Sequence, residues 1–483
     1  MKEEFRKTIA SGVTHATEPV AATARGAPSL STSVMCATAL LLVTLLAVPA
    51  VAQSIVTHDL HPGPGSSDPA EFVATDSALL FSADAGFLGS ELWQLDALDG
   101  YVAALADLAA DGDGDPGNLT VAGGFVYFTL DDGYSGRELW HTDGSFSGTR
   151  RVADIVPGAA SADPQQLVAV ADTLYFVADD GVHGEELWRS DLLQGAVRVA
   201  DIRAGATGSM PSRLTAHGGR LYFTADDGMH GEELWVSDGT AAGTRLVADI
   251  DSGRADGAPE DLYAASDALW FSADDGETGR ELYRSDGTAT GTVRVRDIDS
   301  GAGGSSPGDF VEHAGAVYFA AGDAASGREL WRSDGTMDGT VRVADIRAGG
   351  KGSSPTALTA HANAIFFAAD DGVHGEELWT SNGTAAGTAL VVDLDPGRAD
   401  GFPGRALSVG NKLVFAADDG LSGRELWLSD GSAARTWQLA DLSPGTTSSH
   451  PTDLLSAHGL LYFNATTPLN GTELFALPLS FTE

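Results

Sequence analysis

The sequence predicts an all-β chain that folds as a single nine-bladed β-propeller of four-stranded antiparallel blades. Three observations predict it: short motifs recur nine times at intervals of 47 or 48 residues, each unit contains four strand-length segments, and the two chain ends supply complementary parts of one unit. The 60 glycines among 483 residues also indicate a chain rich in turns. The predicted propeller domain spans residues 54–483, and residues 1–52 form a leader.

Three sequence markers share this interval. A Glu-Leu-aromatic tripeptide begins at Glu91, Glu138, Glu186, Glu233, Glu281, Glu329, Glu377, Glu425 and Glu473. A proline recurs at Pro69, Pro116, Pro164, Pro211, Pro259, Pro307, Pro355, Pro403 and Pro451. An Asp followed by Ile or Leu recurs at Asp59, Asp107, Asp154, Asp201, Asp249, Asp297, Asp345, Asp393 and Asp441. Repeats of about 40–50 residues with four strands are typical of propeller blades.

One unit, residues 211–253, shows why each repeat should form four strands. Its β-rich segments RLTAH, RLYFTA, EELWVS and TRLVADI are separated by turn signals, including Asp226-Asp227-Gly228 and Asp238-Gly239-Thr240. Glycine tolerates positive φ, and Asp hydrogen-bonds nearby backbone, so both sequences favour hairpin turns. The runs LYF, ELW and LV are apolar on consecutive residues, which predicts strands buried on both faces between neighbouring blades.

The chain ends predict how the ring closes. The domain begins with a lone fourth strand, Ile55 to Leu60, and finishes with the first three strands of a unit. Together they would form a ninth four-stranded sheet and cover two open sheet edges. The alternative is an eight-bladed ring with a displaced terminal unit, because eight blades is nearer the usual upper size.

The leader has the features of a secretory signal peptide. An apolar run from Ala37 to Val51 follows a basic segment and ends in Ala50-Val51-Ala52, which resembles a cleavage site. Cleavage after Ala52 and export are therefore predicted, with an uncleaved signal anchor or a misassigned start codon as alternatives. No later segment approaches 18 apolar residues, so no membrane span is expected after cleavage. The only cysteine, Cys36, would leave with the leader, which removes disulfides, thiolate catalysis and cysteine zinc sites.

The charge balance argues against polyanionic partners. The 68 acidic residues against 28 basic ones give a formal charge of −40, which disfavours nucleic acid and anionic membranes. The 43% hydrophobic content is sufficient for a packed core and differs from that of a disordered acidic tail.

The segments ELWRSDGTMDGTVRVADI (residues 329–346) and ELWVSDGTAAGTRLVADI (residues 233–250) resemble the ELWxxDGT-repeat proteins of bacteria. The resemblance covers essentially the whole predicted domain and implies an exported or surface-associated propeller-like protein, but no particular activity. Tyr283 and Phe475 replace the tryptophan, Asn382 replaces the aspartate, and the units around Asp96 and Asp191 lack the DGT turn.

Most of the repeated residues have a structural interpretation. The ELW aromatic is expected to pack between blades, and a carbohydrate-stacking role would require it to be exposed. The glutamate beside it is expected to be a buried carboxylate that accepts backbone N–H groups, with a calcium ligand as the alternative. Two sets of three equivalent histidines, His183, His230 and His374 and His217, His313 and His361, are interpreted as surface turn residues.

The candidate metal site comes from the acidic loops. Paired aspartates in the turns between the second and third strands should share one face with the blade-to-blade linkers, which gives a ring of carboxylates. Calcium binding at several blades is the hypothesis, and Asx turns with a solvated second acid are the alternative. The best single candidate is Asp111, Asp113 and Asp115, which match the start of a calcium loop, although Pro116 occupies the usual glycine position.

These observations predict an exported acidic propeller that acts as a binding or scaffolding module, with a protein, a polysaccharide or a second copy as partner. No catalytic residue is assigned, because no catalytic motif is present and no unit deviates in length by more than one residue. The alternative is an enzyme of polysaccharide or ester chemistry with carboxylates at the channel mouth. A third possibility is a purely structural coat protein.

Overall fold

The chain folds as a closed ring of nine antiparallel four-stranded sheets in the computed structural model, which describes residues 55–109, 112–191 and 195–480. The predicted leader and cleavage site lie outside these residues, and so does Asp111. In the part of the chain that is described, no helix is long and apolar enough to cross a membrane.

The first part of the chain forms one separate strand and three complete blades. Strand β1 (Val56–His58) is followed by blade 1 with β2 (Ala70–Ala74), β3 (Ala78–Asp84), β4 (Ser90–Asp96) and β5 (Val102–Ala104), blade 2 with β6 (Gly117–Ala122), β7 (Phe125–Asp131), β8 (Arg137–Thr142) and β9 (Arg150–Arg151), and blade 3 with β10 (Gln165–Val170), β11 (Thr173–Asp179), β12 (Glu185–Asp191) and β13 (Gly195–Arg198).

The middle of the chain forms three further blades. They are blade 4 with β14 (Ser212–His217), β15 (Arg220–Asp226), β16 (Glu232–Ser237) and β17 (Arg245–Ala248), blade 5 with β18 (Glu260–Ala264), β19 (Leu269–Asp274), β20 (Arg280–Ser285) and β21 (Val293–Arg296), and blade 6 with β22 (Gly308–His313), β23 (Ala316–Asp323), β24 (Gly327–Ser333) and β25 (Val341–Arg342).

The last three blades complete the ring. They are blade 7 with β26 (Thr356–His361), β27 (Ala364–Asp370), β28 (Glu376–Ser381) and β29 (Thr388–Val392), blade 8 with β30 (Leu407–Val409), β31 (Lys412–Asp418), β32 (Arg424–Ser429) and β33 (Thr436–Ala440), and blade 9 with β34 (Thr452–Ala457), β35 (Leu460–Thr467), β36 (Gly471–Pro478) and β1. Short 3₁₀ turns at Phe146–Gly148, Ala385–Gly387 and Ala433–Arg435 precede three of the fourth strands.

The ring is closed by the pairing of β1 with the last blade. Strand β1 pairs antiparallel with β36, so that Val56 lies opposite Ala476 and His58 opposite Leu474. The inner strand of blade 9, β34, also contacts the inner strand of blade 1, β2. The nine-bladed prediction is therefore confirmed, and the eight-bladed alternative is excluded.

The core lies between blades. In β15, for example, every residue from Leu221 to Ala225 is buried, because one side chain faces the preceding blade and the next faces the following blade. This confirms the interpretation of consecutive apolar runs as strands covered on both faces. Each blade therefore contributes to two clusters: in blade 6, Phe319 and Trp331 pack towards blade 5, whereas Tyr318 packs towards blade 7.

The strand order fixes two faces. The upper face carries the turns between second and third strands together with the blade-to-blade linkers. The lower face carries the turns between first and second strands and the DGT turns between third and fourth strands.

Candidate functional site

The nine ELW glutamates are fully buried and hold the linkers to the blades. Glu233 on β16 accepts the N–H groups of Ile250 (3.0 Å), Asp251 (3.1 Å) and Gly257 (3.0 Å), all in the linker towards blade 5. Equivalent glutamates bind their own linkers, and at ring closure Glu473 accepts the N–H groups of Leu60 and Ser67. The interpretation of these glutamates as buried carboxylates that accept backbone N–H groups is confirmed, and these contacts give the calcium-ligand alternative no support.

A hydroxyl completes this arrangement in five blades. Ser67, Ser209, Ser305, Ser353 and Ser449 each donate an Oγ–H to the glutamate, at 2.5–2.6 Å. Burial raises the pKa of all nine glutamates, against the lowering effect of these donors, and to about 7 at Glu91, Glu138, Glu233, Glu377 and Glu473. Of the five glutamates whose pKa is raised to about 7, only Glu473 has such a serine donor.

The ELW tryptophans belong to the core. Trp93 is 1% exposed and the others at most 9%, and the indole N–H of Trp93 donates to the Ala83 carbonyl at 3.0 Å. The packing prediction is confirmed, and stacking of sugar rings on these side chains is excluded.

The paired aspartates of the upper face build Asx turns. In blade 5, Asp274 Oδ1 accepts the N–H of Gly276 (2.9 Å), while Asp275 Oδ1 accepts those of Glu277 (3.0 Å) and Thr278 (2.8 Å). Burial opposes ionisation of the second Asp, but its donors outweigh this and lower the pKa of Asp132, Asp180, Asp227, Asp275, Asp323, Asp371 and Asp419. These carboxylates are ionised turn residues at neutral pH.

The linkers bring a further charged residue to these turns, and its sign varies between blades. Arg203 pairs with Asp226 of the next blade, and Arg347 pairs with Asp370. The equivalent residue in the linker to blade 8 is Asp395, which lies beside the Asp418-Asp419 turn. Burial first, and then the neighbouring carboxylates, raise the pKa of Asp395. The acidic face is thus neutralised locally in some blades and reinforced in others.

The tips of these turns carry exposed hydrophobic side chains that the sequence analysis missed. The residue at the turn tip is large and apolar in seven of nine blades, with 58–79% of each residue exposed: Phe87, Tyr134, Val182, Met229, Val373, Leu421 and Leu469. It follows a glycine in six of these blades and Pro468 in blade 9. Glu277 and Ala325 occupy the other two positions. The sequence feature that could have indicated them is the residue after Asp-Asp-Gly, which is apolar although the rest of the turn is polar.

The two histidine sets differ in location. His183, His230 and His374 lie in the turns, and each Nδ1 is 2.8–2.9 Å from the second Asp of its own turn, as at Asp227. His217, His313 and His361 instead end the inner strands β14, β22 and β26. The surface-turn interpretation is wrong for this second set, because the rings pack against Tyr222, Tyr318 and Phe366 of the next strand.

Nine equivalent positions at the start of the blades carry residues that differ from blade to blade. Two residues after each marker proline lie Glu71, Asn118, Gln166, Arg213, Asp261, Asp309, Ala357, Arg405 and Asp453, and all but Arg405 have positive φ. Arg405 pairs with Asp309 two blades away. Asp261 and Asp309 are two acids of neighbouring blades in this set. Arg328 interacts with both carboxylates, and Arg405 forms an ion pair with Asp309. The enzyme alternative therefore gains no support from this ring.

The sequence-predicted metal loop is only partly described. Asp113 Oδ1 accepts the N–H of Ser90 at 3.1 Å, and the exposed Asp115 faces Arg137 at 3.9 Å. Asp111 lies outside the described residues, so the three-residue site stays a prediction. Within the described ranges, no group of three or more His, Cys, Asp or Glu residues is arranged to hold a metal ion.

Comparisons with known proteins show only distant structural similarity. No family model and no curated protein matches the chain. Among solved structures it is similar to the computationally designed Ika8 protein (15% identity, TM-score 0.42, covering 74% of this chain and 94% of that one). It is also similar to a puromycin hydrolase (12%, 0.37, 84% and 59%) and to a Mycobacterium tuberculosis puromycin-hydrolyzing peptidase (12%, 0.40, 82% and 57%). The chain thus spans under three fifths of these peptidases, and at such TM-scores none of the likenesses carries an argument.

Proposed function

We propose that this chain is an exported acidic β-propeller that acts as a binding or scaffolding module outside the cell, through its upper face. The observation that carries the proposal is the ring of seven exposed hydrophobic tips on that face. Five of these tips sit on Asx turns fixed by paired aspartates, as at Met229 above Asp227, whereas Ala85 and Thr467 replace the second aspartate below Phe87 and Leu469. Exposed apolar groups of this kind mark interaction surfaces when they recur together.

The chemistry of the tips favours a protein partner. Sugar rings stack on aromatic side chains, but only Phe87 and Tyr134 are aromatic, and the other tips are Val, Leu and Met. Aliphatic and Met side chains ringed by carboxylates suit a protein surface with apolar and basic groups. A second copy and a polysaccharide are the other two outcomes of the test below. Repeated tips would sum weak contacts, since linked sites gain about 10²–10⁴ in avidity.

The test compares the two faces. The exported chain is immobilised and probed with an array of surface proteins and glycans, and its self-association is measured by sedimentation. We expect binding to wild type that falls at least tenfold when Met229, Val373, Leu421 and Leu469 are replaced by Ser. The matched control replaces Phe146 and Met337, which are 71% and 67% exposed on the lower face. Equal loss in both variants, or turnover of ester or polysaccharide substrates by wild type, would contradict the proposal.

We also propose that calcium stabilises the upper face. The support is the mutual repulsion of Asp395, Asp418 and Asp419, which a cation held partly through water would relieve, although these three carboxylates do not by themselves form a ligand group. Thermal unfolding at millimolar calcium should show a rise in Tm that magnesium does not reproduce and that Asp395→Asn reduces. Asp201→Asn is the control, since this Asp lies near Arg198 and not in that cluster. An unchanged Tm in calcium would remove this part of the proposal.

A further inference from the structure

A cavity of about 290 Å³ lies on the lower face between blades 1 and 2. Its walls include Gln94, Asp96 and Tyr101 of blade 1 and Phe146, which lies in the turn between the third and fourth strands of blade 2. Tyr101 and Phe146 are 45% and 71% exposed. The cavity thus combines one carboxylate with two aromatic residues that solvent reaches. Its volume is close to the lower limit of small-molecule sites, which start at about 300 Å³.

Asp96 belongs to a set of aspartates that lie five residues after the ELW glutamate, and every other member has a basic partner in its own blade. The partner lies either three residues after the glutamate or at the start of the second strand. The pairs are His141 with Asp143, Arg189 with Asp191, Arg220 with Asp238, Arg284 with Asp286, Arg332 with Asp334 and Lys412 with Asp430. Blades 7 and 9 have the uncharged residues Asn382 and Pro478 at this position and no basic residue at either partner position.

Blade 1 has the aspartate without the basic partner. Its residues at the two partner positions are Gln94 and Ala78. The sequence contains no Lys or Arg between residues 26 and 136 or after residue 435, so blades 9 and 1 carry none. In the part of the chain that the structure describes, no basic side chain forms an ion pair with Asp96. The charge that six other blades balance therefore stays unbalanced at this cavity.

Blade 8 shows how the fold holds a cation at the equivalent position. Lys412 Nζ lies 5.8 Å from the centre of the Trp437 ring. The same ammonium group interacts with Asp430, the equivalent of Asp96. An aromatic face attracts a cation through its quadrupole, and a carboxylate adds its charge to this attraction. The blade thus binds its own ammonium group between a ring and an acid.

Blade 1 lacks the ammonium group of this arrangement but has an acid and aromatic rings. Ala78 and Ala103 replace the lysine and the tryptophan, and Ala103 lines the cavity. Tyr101 and Phe146 supply rings from other positions. The turn of blade 2 does not itself need an aromatic residue, because the equivalents of Phe146 in five other blades are aliphatic: Ala241, Ala289, Met337, Ala385 and Ala433.

We infer that this cavity binds a small organic cation with a methylated ammonium group, which supplies the positive charge that blade 1 lacks. Tyr101 and Phe146 contact the methyl groups, and Asp96 balances the charge. Such a cation needs no hydrogen-bond acceptor, which suits Asp96, because its Oδ1 already accepts the N–H groups of Leu98 (2.8 Å) and Asp99 (3.3 Å). Calcium is disfavoured, since it takes about six to eight oxygen ligands and one carboxylate lines this cavity.

The first test uses the whole exported chain and two probes of the same shape. Choline carries a trimethylammonium group, and 3,3-dimethylbutan-1-ol has an uncharged tert-butyl group in its place. Binding is followed by calorimetry and by saturation-transfer NMR at low salt. We expect choline to bind and the uncharged probe to bind at least about tenfold more weakly, which corresponds to about 1.4 kcal/mol. Added salt should weaken choline binding, because it screens the charge of Asp96.

Two variants remove one wall each. Phe146→Ala installs the residue of four other blades, so it should fold. Asp96→Asn should also fold, because Asn382 occupies this position in blade 7 and its Oδ1 accepts the N–H of Thr384 at 3.1 Å. Each variant should weaken choline binding about fivefold or more. The matched control is Met337→Ala, which trims the same turn position in blade 6 and should leave choline binding unchanged.

A third variant fills the site with a group of the protein. Ala78→Lys copies Lys412 of blade 8 and should abolish choline binding, because its ammonium group then pairs with Asp96. Failure of choline to bind wild type, equal affinity for the uncharged probe, or unchanged choline affinity in folded Phe146→Ala or Asp96→Asn overturns the inference. An equal loss in Met337→Ala also overturns it. These outcomes leave the proposed function untouched, because the hydrophobic tips lie on the opposite face.

Discussion

Two sets of acidic residues repeat with the blades, and burial gives them opposite properties. The ELW glutamates are fully buried, accept linker N–H groups and have raised pKa values, as Glu233 shows. The turn aspartates are partly exposed, accept N–H groups within five residues and have lowered pKa values, as Asp275 shows. The first set joins elements about 17–24 residues apart, whereas the second set shapes single turns.

This comparison shows that acidic residues repeated in every blade serve the folding of the blade. A carboxylate that recurs nine times suggests a ligand when only the sequence is considered, but both sets are occupied by backbone donors. Residues that serve binding are therefore expected where the blades differ, as at the turn tips and at the linker position of Asp395.

The largest expected effect separates the two sets within blade 5. Glu281→Ala would leave the N–H groups of Ile298, Asp299 and Ser305 without their acceptor, which should destabilise the protein by about 3–5 kcal/mol. Asp275→Ala removes an acceptor near solvent and should cost about 1 kcal/mol. Denaturant unfolding of both variants measures the difference. Similar losses would contradict the distinction between linker-holding and turn-shaping acids.

A smaller effect is expected from the serine beside the glutamate. Ser305→Ala removes the hydroxyl that donates to Glu281 Oε2 at 2.6 Å and should cost about 1.5–3 kcal/mol, the range for hydrogen bonds to charged groups. Blade 2 provides the reverse change, because Ala162 occupies the equivalent place next to Glu138. Ala162→Ser should stabilise the protein slightly and lower the pKa of Glu138. Stabilisation by both substitutions would show that the hydroxyl has no role.

Much of this architecture could be predicted from the sequence because it is periodic. The nine-blade count, the pairing of the first strand with the last unit and the burial of Trp93 and Glu233 all follow from repeated patterns and complementary ends. The registers then follow, since consecutive apolar residues must be covered on both faces.

The candidate sites were less predictable, because they depend on which way unrepeated residues point. The sequence around Met229 reads as a polar turn, and only the fold shows the side chain at the tip of the upper face. His58 lies in a short strand that pairs with the last strand of the domain, where it is opposite Leu474, so its surroundings follow only from ring closure. His217 was interpreted as a surface turn residue, but the inner strand continues to this residue.

The pH dependence of stability should show both sets with opposite signs. Glu233 has a folded pKa of about 7 against an ordinary value near 4.5, so its contribution is full below pH 4.5 and is lost as pH rises through 7. Asp275 has a lowered pKa, so its contribution is present above pH 4 and is lost as pH falls further. Stability should therefore be greatest between about pH 4 and 5.

Thermal unfolding from pH 3 to 9 tests this profile. Glu233→Gln removes one titrating group from the buried set, so the decline between pH 5 and 8 should become shallower. Glu277→Gln is the control, because this side chain lies at an exposed turn tip. A maximum above pH 7, or an unchanged slope in Glu233→Gln, would show that hydrogen bonds keep these glutamates ionised throughout.

The smallest effect concerns the linker residue that varies in sign. Asp395→Arg copies Arg347, which pairs with Asp370 in the preceding blade, and should pair with Asp418 while removing a like charge. The exposure of such pairs limits the gain to about 0.2–1 kcal/mol, measured without calcium at low salt. The reverse change, Arg347→Asp, should cost a similar amount, and both effects should shrink in 1 M salt. If Asp395→Arg destabilises the protein, the cluster around Asp395 is held by something other than its own turns, and a bound cation becomes the first explanation to examine.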